Sequence, residues 1–236
     1  MVRKIVFGAL TLLLALCLVG CGGKKDAGGD AKKDDAAQKT EVATPEFSAD
    51  KAILGYAELY ALGMSDNTKA TGLSEQDAKK IVDEWDEQVF GAFKKFPVSD
   101  ESAEKLTAIY YARLATDMEI SAKVKKEDAE HPVVELMAKP INQEEAAKFA
   151  TESEDIQAIA LALNELHENG VTDEDLKGSE EFQQAVVGVI ESYINNIPLH
   201  EAKTLDVTCQ LAEGSDGKVY WAPEDSVALA KFVTGQ

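Results

Sequence analysis

The amino-acid sequence predicts an α+β fold, with helices packed on an antiparallel sheet of about four strands built from two hairpins. Three observations carry this. Apolar residues recur at helical spacing through most of residues 48–236. Twice that period gives way to a strict alternation of apolar and polar residues, around residues 118–139 and 204–221. Each alternating stretch comes as a pair set between runs of helix, not as single strands interleaved with helices, and segregated runs belong to α+β architectures. Hydrophobic residues make up 45% of the 236, enough to build a core.

The first twenty residues have the three-part layout of an export signal. Arg3 and Lys4 supply the positive start, and Ile5 to Val19 is almost wholly apolar, with Thr11 its only clearly polar side chain. That run of about 15 residues falls short of the about 20 that span a bilayer. It ends in Leu18-Val19-Gly20-Cys21, which resembles the lipobox of bacterial lipoproteins: a small residue opens the bond to the peptidase, and the next residue is a thiol. The resemblance implies cleavage after residue 20 and a diacylglycerol on Cys21. The partner it implies is therefore a membrane, reached through lipid on the extracytoplasmic face and not through a spanning helix. Gly22 follows Cys21, so the outer membrane is open as a destination in a cell that has one.

Residues 21–47 read as a flexible tether. Gly, Ala, Lys and Asp dominate, no apolar period appears, and such a segment buries too little to offset the entropy of ordering it. About 26 residues of this kind hold the following domain roughly 25–30 Å from the anchor on average.

From about Ser48 the pattern is helical. Ile53, Tyr56, Ala57 and Tyr60 share a face, and Gly63 turns the chain. Ser74, with Asp77 three residues on, caps a long helix whose stripe is Ala78, Ile81, Val82, Trp85, Val89, Ala92, Phe93 and Phe96, stopped by Pro97. Ser99 opens another to about Ala115, through Leu106, Ile109, Tyr110 and Leu114, with Asp100 and Glu101 at its positive end. Met118, Ile120, Ala122 and Val124 then alternate with polar residues as a half-buried strand, and Val134, Leu136 and Ala138 face inward on its partner, ended by Pro140.

The second half repeats the plan. Asn142 with Glu145 caps a helix that breaks at Glu152 to Asp155, resumes through Ile156, Ile159, Ala160, Leu163 and Leu166, and stops at Asn169-Gly170. Thr172 and Asp175 repeat the cap ahead of a stripe from Phe182 to Ile197. Leu205, Val207, Cys209 and Leu211 alternate along a strand, Asp216-Gly217 signals a hairpin turn, and Val219 to Trp221 returns. Glu224 and Asp225 open a last helix carrying Val227, Leu229, Ala230, Phe232 and Val233. Residues 48–236 are thus expected to be a single α+β domain. Residues 48–141 and 142–236 read as two similar halves, although shared capping chemistry accounts for most of that likeness.

His131-Pro132-Val133-Val134, Lys139-Pro140-Ile141, the strand Leu205 to Leu211 and Asp216-Gly217-Lys218 with its closing helix resemble uncharacterised lipoproteins of Gram-positive-type bacteria, in which a domain of unknown function follows a lipobox and a polar tether. That resemblance implies a fold and a location, and no activity.

Chemistry is sparse. The formal net charge is −19, and loss of Arg3 and Lys4 with the signal makes the mature chain more negative still. Nucleic acid is excluded as a partner by repulsion of its phosphates, and a ligand is expected to be cationic or neutral. His131, His167 and His200 belong to no metal-binding spacing, so structural or surface roles are expected. Asp173, Asp175, Gly178 and Glu181 invite a calcium-loop reading, but Lys177 stands at a ligand position and Gln184 where a bidentate Glu is needed. No nucleophile motif or phosphate loop appears, so no catalytic residue, metal or cofactor is expected. Trp85, Trp221, Tyr56, Tyr60, Tyr110, Tyr111, Tyr193 and Tyr220 sit at helical or strand spacing and read as core. Cys17 leaves with the signal, and Cys209 is left as a buried, unpaired thiol. The function expected is a lipid-anchored binding or interaction module of unknown ligand. The alternatives are a transporter-associated solute receptor, whose usual strand–helix alternation is missing here, and an envelope enzyme.

Overall fold

A computed structural model describes residues 44–63 and 66–236. The signal, Cys21 and the tether up to residue 43 lie outside the described residues.

Helix α1 (Ala49–Leu62) is apolar nearly all round, with Ala49, Ala52, Ile53, Tyr56, Ala57 and Leu59 buried. A helix of that character needs cover on every side. It lies against three of the four strands and against the last helix. Gly63 ends it in the left-handed conformation, φ 63°, returning its N–H to the Leu59 carbonyl. A 3-10 turn (Thr68–Thr71) follows, tied back to α1 by the Tyr56 hydroxyl, which donates to the Thr71 carbonyl at 3.0 Å.

Helices α2 (Glu75–Phe93) and α3 (Asp100–Asp117) start where their caps predict. The Ser74 hydroxyl accepts the Asp77 N–H, and Ser99 accepts that of Ser102. The α2 stripe is buried only in part. Ala78, Val89, Ala92 and Phe93 are covered, whereas Ile81, Val82 and Trp85 between them stay half-exposed. Phe96 and Val98, both buried, lock the turn around Pro97 into the core.

Strands β1 (Ser121–Lys126), β2 (Val133–Ala138), β3 (Lys203–Glu213) and β4 (Val219–Pro223) form one antiparallel sheet in the order β1-β2-β3-β4. The two hairpins join at β2–β3, where Val134 stands opposite Val207 and Leu136 opposite Leu205. Pairing continues past the strands: the His200 N–H donates to the Pro140 carbonyl at 2.8 Å, and that of Asn142 to Pro198 at 2.9 Å. Val134, Leu136, Ala138 and Cys209 are fully buried on the inner face. The outer face is wet. On it, Lys123 pairs with Glu135 on the adjacent strand at 2.7 Å, and Lys125 reaches over β2 to Asp206 on β3 at 2.7 Å.

Between β2 and β3 run α4 (Gln143–Glu152), α5 (Glu154–Glu168), α6 (Asp173–Lys177) and α7 (Glu180–Asn195); α8 (Ser226–Thr234) closes the chain. Ser153 ends α4 through its N–H and caps α5 through its hydroxyl, which accepts the Ile156 N–H. Among the described residues, eight α-helices accompany the four strands, the α+β arrangement that the sequence predicts. The buried core draws on α1, α2, α3, α4, α5, α7, α8 and the inner face of the sheet.

Three expectations are corrected, and one apolar residue of the last helix lies outside the core. Met118 does not open β1. Its N–H continues the α3 ladder to Leu114 at 3.0 Å, its side chain is buried at the helix end, and Glu119 at φ 49° makes the turn, so the strand begins at Ser121. Val124 is 39% exposed and not inward, at the far end of β1, an edge strand of the sheet. The helix expected from Thr172 onward is two helices. Thr172 and Asp175 complete a reciprocal capping box on the short α6, and Ser179 then caps α7 by accepting the Phe182 N–H. Val227 is 61% exposed, since it lies about 200° around α8 from the buried Leu229.

Candidate functional site

The uncovered middle of the α2 stripe opens onto a groove between α2 and α3, closed at one end by the last turn of α1. Two devices hold its walls. Phe93, Phe96 and Val98 bury the connection from below. From the side, the Gln183 carboxamide oxygen accepts the Ser99 N–H at 2.8 Å, while its nitrogen donates to the carbonyls of Pro97 at 2.9 Å and Leu176 at 3.0 Å. One side chain of α7 thus ties the α2–α3 turn to α6.

The groove encloses about 620 Å³ and is lined by Val82, Asp86, Glu87 and Phe90 of α2, by Glu104, Thr107, Ala108 and Tyr111 of α3, and by Leu62 and Gly63. Val82, Asp86 and Phe90 are four residues apart, as are Glu104 and Ala108, so each helix presents one face. Tyr111 is 7% exposed, yet its hydroxyl has no hydrogen-bond partner. Burial first, and the nearby Asp86 carboxylate second, push its ionisation far above the ordinary tyrosine value. Asp86 approaches without completing a bond. Gly63 leaves the hydroxyl room: a β-carbon there would stand 3.5 Å from it.

The charge around the groove is one-sided. Lys79 pairs with Asp83, Lys80 with Glu84, Lys94 with Asp100 and Lys105 with Glu191. Among the described residues, Asp86, Glu87 and Glu104 have no basic partner, and all three are exposed. The groove therefore offers apolar walls, a neutral buried hydroxyl and three unpaired carboxylates.

A second cavity of about 830 Å³ lies between the start of α3 and α7. Of its polar lining, Gln183 is already engaged on three sides, and Lys105 pairs with Glu191 at 3.6 Å.

The residues singled out in the sequence are scattered and locally engaged. His131 Nδ1 lies 2.8 Å from Glu224, and His167 Nε2 lies 3.0 Å from Asp173. His200 is held below its ordinary ionisation, mainly by burial and then by Lys203. In the calcium-like run, Asp175 is taken by Thr172 and Glu174 by Lys177. Among the described residues no cluster of three or more His, Cys, Asp or Glu is arranged to hold a metal. Tyr56, Tyr110, Tyr193, Tyr220 and Trp221 are buried as expected, whereas Trp85 and Tyr60 are half-exposed. Tyr111 is the aromatic whose role the sequence hides. The pair Tyr110-Tyr111 was the available signal: adjacent residues on a helix point about 100° apart, so two tyrosines cannot serve one stripe.

Cys209 is fully buried on the inner face of β3, and burial, with a smaller contribution from Glu224, pushes its thiol up to about 12. The thiolate is the reactive form. The native protein is therefore expected to resist thiol reagents at pH 8 until denaturant is added, and rapid labelling of the folded chain at Cys209 would contradict this burial.

No protein-family model matches the chain, and no curated protein matches it. Among solved structures, the crystal structure of a provisionally assigned lipoprotein (ycdA) from Bacillus subtilis aligns with a TM-score of 0.44 and 18% identity, over 78% of this chain and 54% of that one. The chain spans about half the length of that protein.

Proposed function

We propose that this chain is a lipoprotein anchored through Cys21 on the extracytoplasmic face of a membrane, where it serves as a binding module and not as an enzyme. The groove between α2 and α3 carries the binding half of this reading. It is apolar enough to hold a ligand and keeps a buried hydroxyl unspent, an arrangement typical of ligand sites. Its hydroxyl is too weakly acidic to act as a base near neutral pH, and the Cys209 thiol is walled off in the core. The lipobox carries the anchoring half, and no helix among the described residues is long and apolar enough to cross a membrane.

The anchor is tested by growing cells on a labelled fatty acid. Wild-type protein is expected to take up the label and to have an intact mass that begins at a lipidated Cys21, while Cys21→Ala takes up none. An unmodified N-terminus at any other residue sinks the anchor. For the module, turnover of a generic ester or peptide, abolished by a single point mutation, would replace binding with catalysis.

A further inference from the structure

We infer that the α2–α3 groove binds a small organic cation, an alkyl- or arylammonium whose apolar body lies along Val82, Phe90 and Ala108 and whose nitrogen sits between the Tyr111 hydroxyl and the Asp86 carboxylate. This rests on the binding-module reading and names the ligand chemistry for the same site.

Size comes first. About 620 Å³ is in the range of small-molecule sites. Val82 and Phe90 stand about 12 Å apart along α2, roughly two turns, which suits one small molecule better than a docked helix.

Polarity comes second. A hydroxyl buried without a partner is costly, and native proteins rarely leave one so. The Tyr111 oxygen has lone pairs to offer, and a ligand N–H entering the groove would donate to it. The same nitrogen would meet Asp86, which already lies near that hydroxyl.

Charge comes third, and it decides the sign. The neighbouring lysines are paired with acids outside the groove, leaving Asp86, Glu87 and Glu104 unneutralised around it. Lys94 lies beside the lining: its ammonium is 5.9 Å from the centre of the Phe90 ring while paired with Asp100. That contact shows the ring accepting a cation, by the attraction that would hold an ammonium. An anionic ligand would meet three carboxylates, and a neutral one would leave them unused.

The test compares three probes of similar shape on the full-length lipoprotein in detergent: phenethylammonium, the neutral 2-phenylethanol and the anionic 3-phenylpropionate. Isothermal titration and the methyl signals of Leu62 and Val82 serve as readouts. Phenethylammonium is expected to bind at least tenfold more tightly than the alcohol, to shift both methyl signals and to weaken as salt is raised, whereas phenylpropionate does not bind. Asp86→Asn is expected to remove most of the preference for the cation. Tyr111→Phe is expected to weaken phenethylammonium severalfold while leaving the melting temperature of the free protein equal or higher, since it deletes an unpaired buried hydroxyl. Equal binding of the alcohol and the ammonium would overturn the cation and leave the binding site standing. No response at Leu62 or Val82 to any probe at 10 mM would overturn both. Tighter binding of the anion would reverse the charge assignment.

Discussion

Phe93→Ala is expected to lower the stability of the folded chain by about 3–5 kcal/mol, the usual cost of removing a buried phenyl ring. Phe93 is fully buried in the last turn of α2. Val89 and Ala92 on its own helix are buried beside it in sequence, as are Phe96 and Val98 in the turn that follows. That turn has little freedom to collapse into a void, because Gln183 grips the carbonyl of Pro97 and the N–H of Ser99 from α7. A cavity that cannot relax keeps its full penalty, since the lining atoms lose contacts with nothing to replace them. At about 2–4 °C per kcal/mol for a chain of this size, the melting temperature should fall by roughly 6–20 °C. Phe90→Ala, one turn earlier and half-exposed in the groove, is the control. It removes the same ring from a site that water can fill, and is expected to cost well under half as much. Urea unfolding of both variants decides the matter: equal losses would mean that Phe93 is no more deeply packed than the groove wall.

The contrast between these two phenylalanines shows where a sequence stops being informative. Both lie on apolar-rich stretches of α2, and periodicity says which side of a helix is apolar without saying what covers it. Most of the helix starts were legible, although the cap at Ser179 was missed. The caps at Ser74, Ser99, Asn142 and Thr172 act on the next turn of backbone, and each does what its spacing predicts. The alternation in β3 was legible too, because a sheet with one wet face forces Val207 and Cys209 to the other side. What could not be seen were events set by distant residues. Met118 continues its helix into the core, with its carbonyl accepting the Lys139 N–H beyond β2, and nothing near Met118 in sequence announces that. Likewise β2 joins β3 through a register fixed more than sixty residues apart. The groove falls in this second class. Val82 looked like core because α2 alone cannot reveal the gap beside it. Asp86, Glu87 and Glu104 were indistinguishable in a chain of 43 acids until the pairing of the lysines around them was known.

Gly72→Ala is the second substitution expected to be severe, at about 2–5 kcal/mol from two separate sources. The first is backbone. Gly72 has φ 71°, a conformation that costs an L-residue roughly 1–2 kcal/mol. The second is contact. A β-carbon there would lie 2.5 Å from Cγ and Cδ2 of Tyr220, and overpacking of that kind costs about 1–3 kcal/mol. Tyr220 has little room to retreat. Its ring stacks on Phe47 at 6.5 Å, its hydroxyl donates to Asp216 at 3.0 Å, and the Gly72 carbonyl accepts the Ser215 N–H at 3.2 Å in the same hairpin. Gly72 is therefore where the α1–α2 connection seats against the β3–β4 turn. The two sources can be separated with Gly170→Ala. Gly170 has φ 85° with nothing within 4 Å of its added carbon, so that variant carries strain alone and should lose only about 1–2 kcal/mol. Tyr220→Ala removes the obstructing ring, and in a double-mutant cycle it should cancel the contact part of the Gly72→Ala loss, giving a sum clearly smaller than the two single effects. If Gly72→Ala costs no more than Gly170→Ala, or if the two substitutions simply add, then Tyr220 yields to the new methyl group and the seat of this connection is softer than its spacing implies.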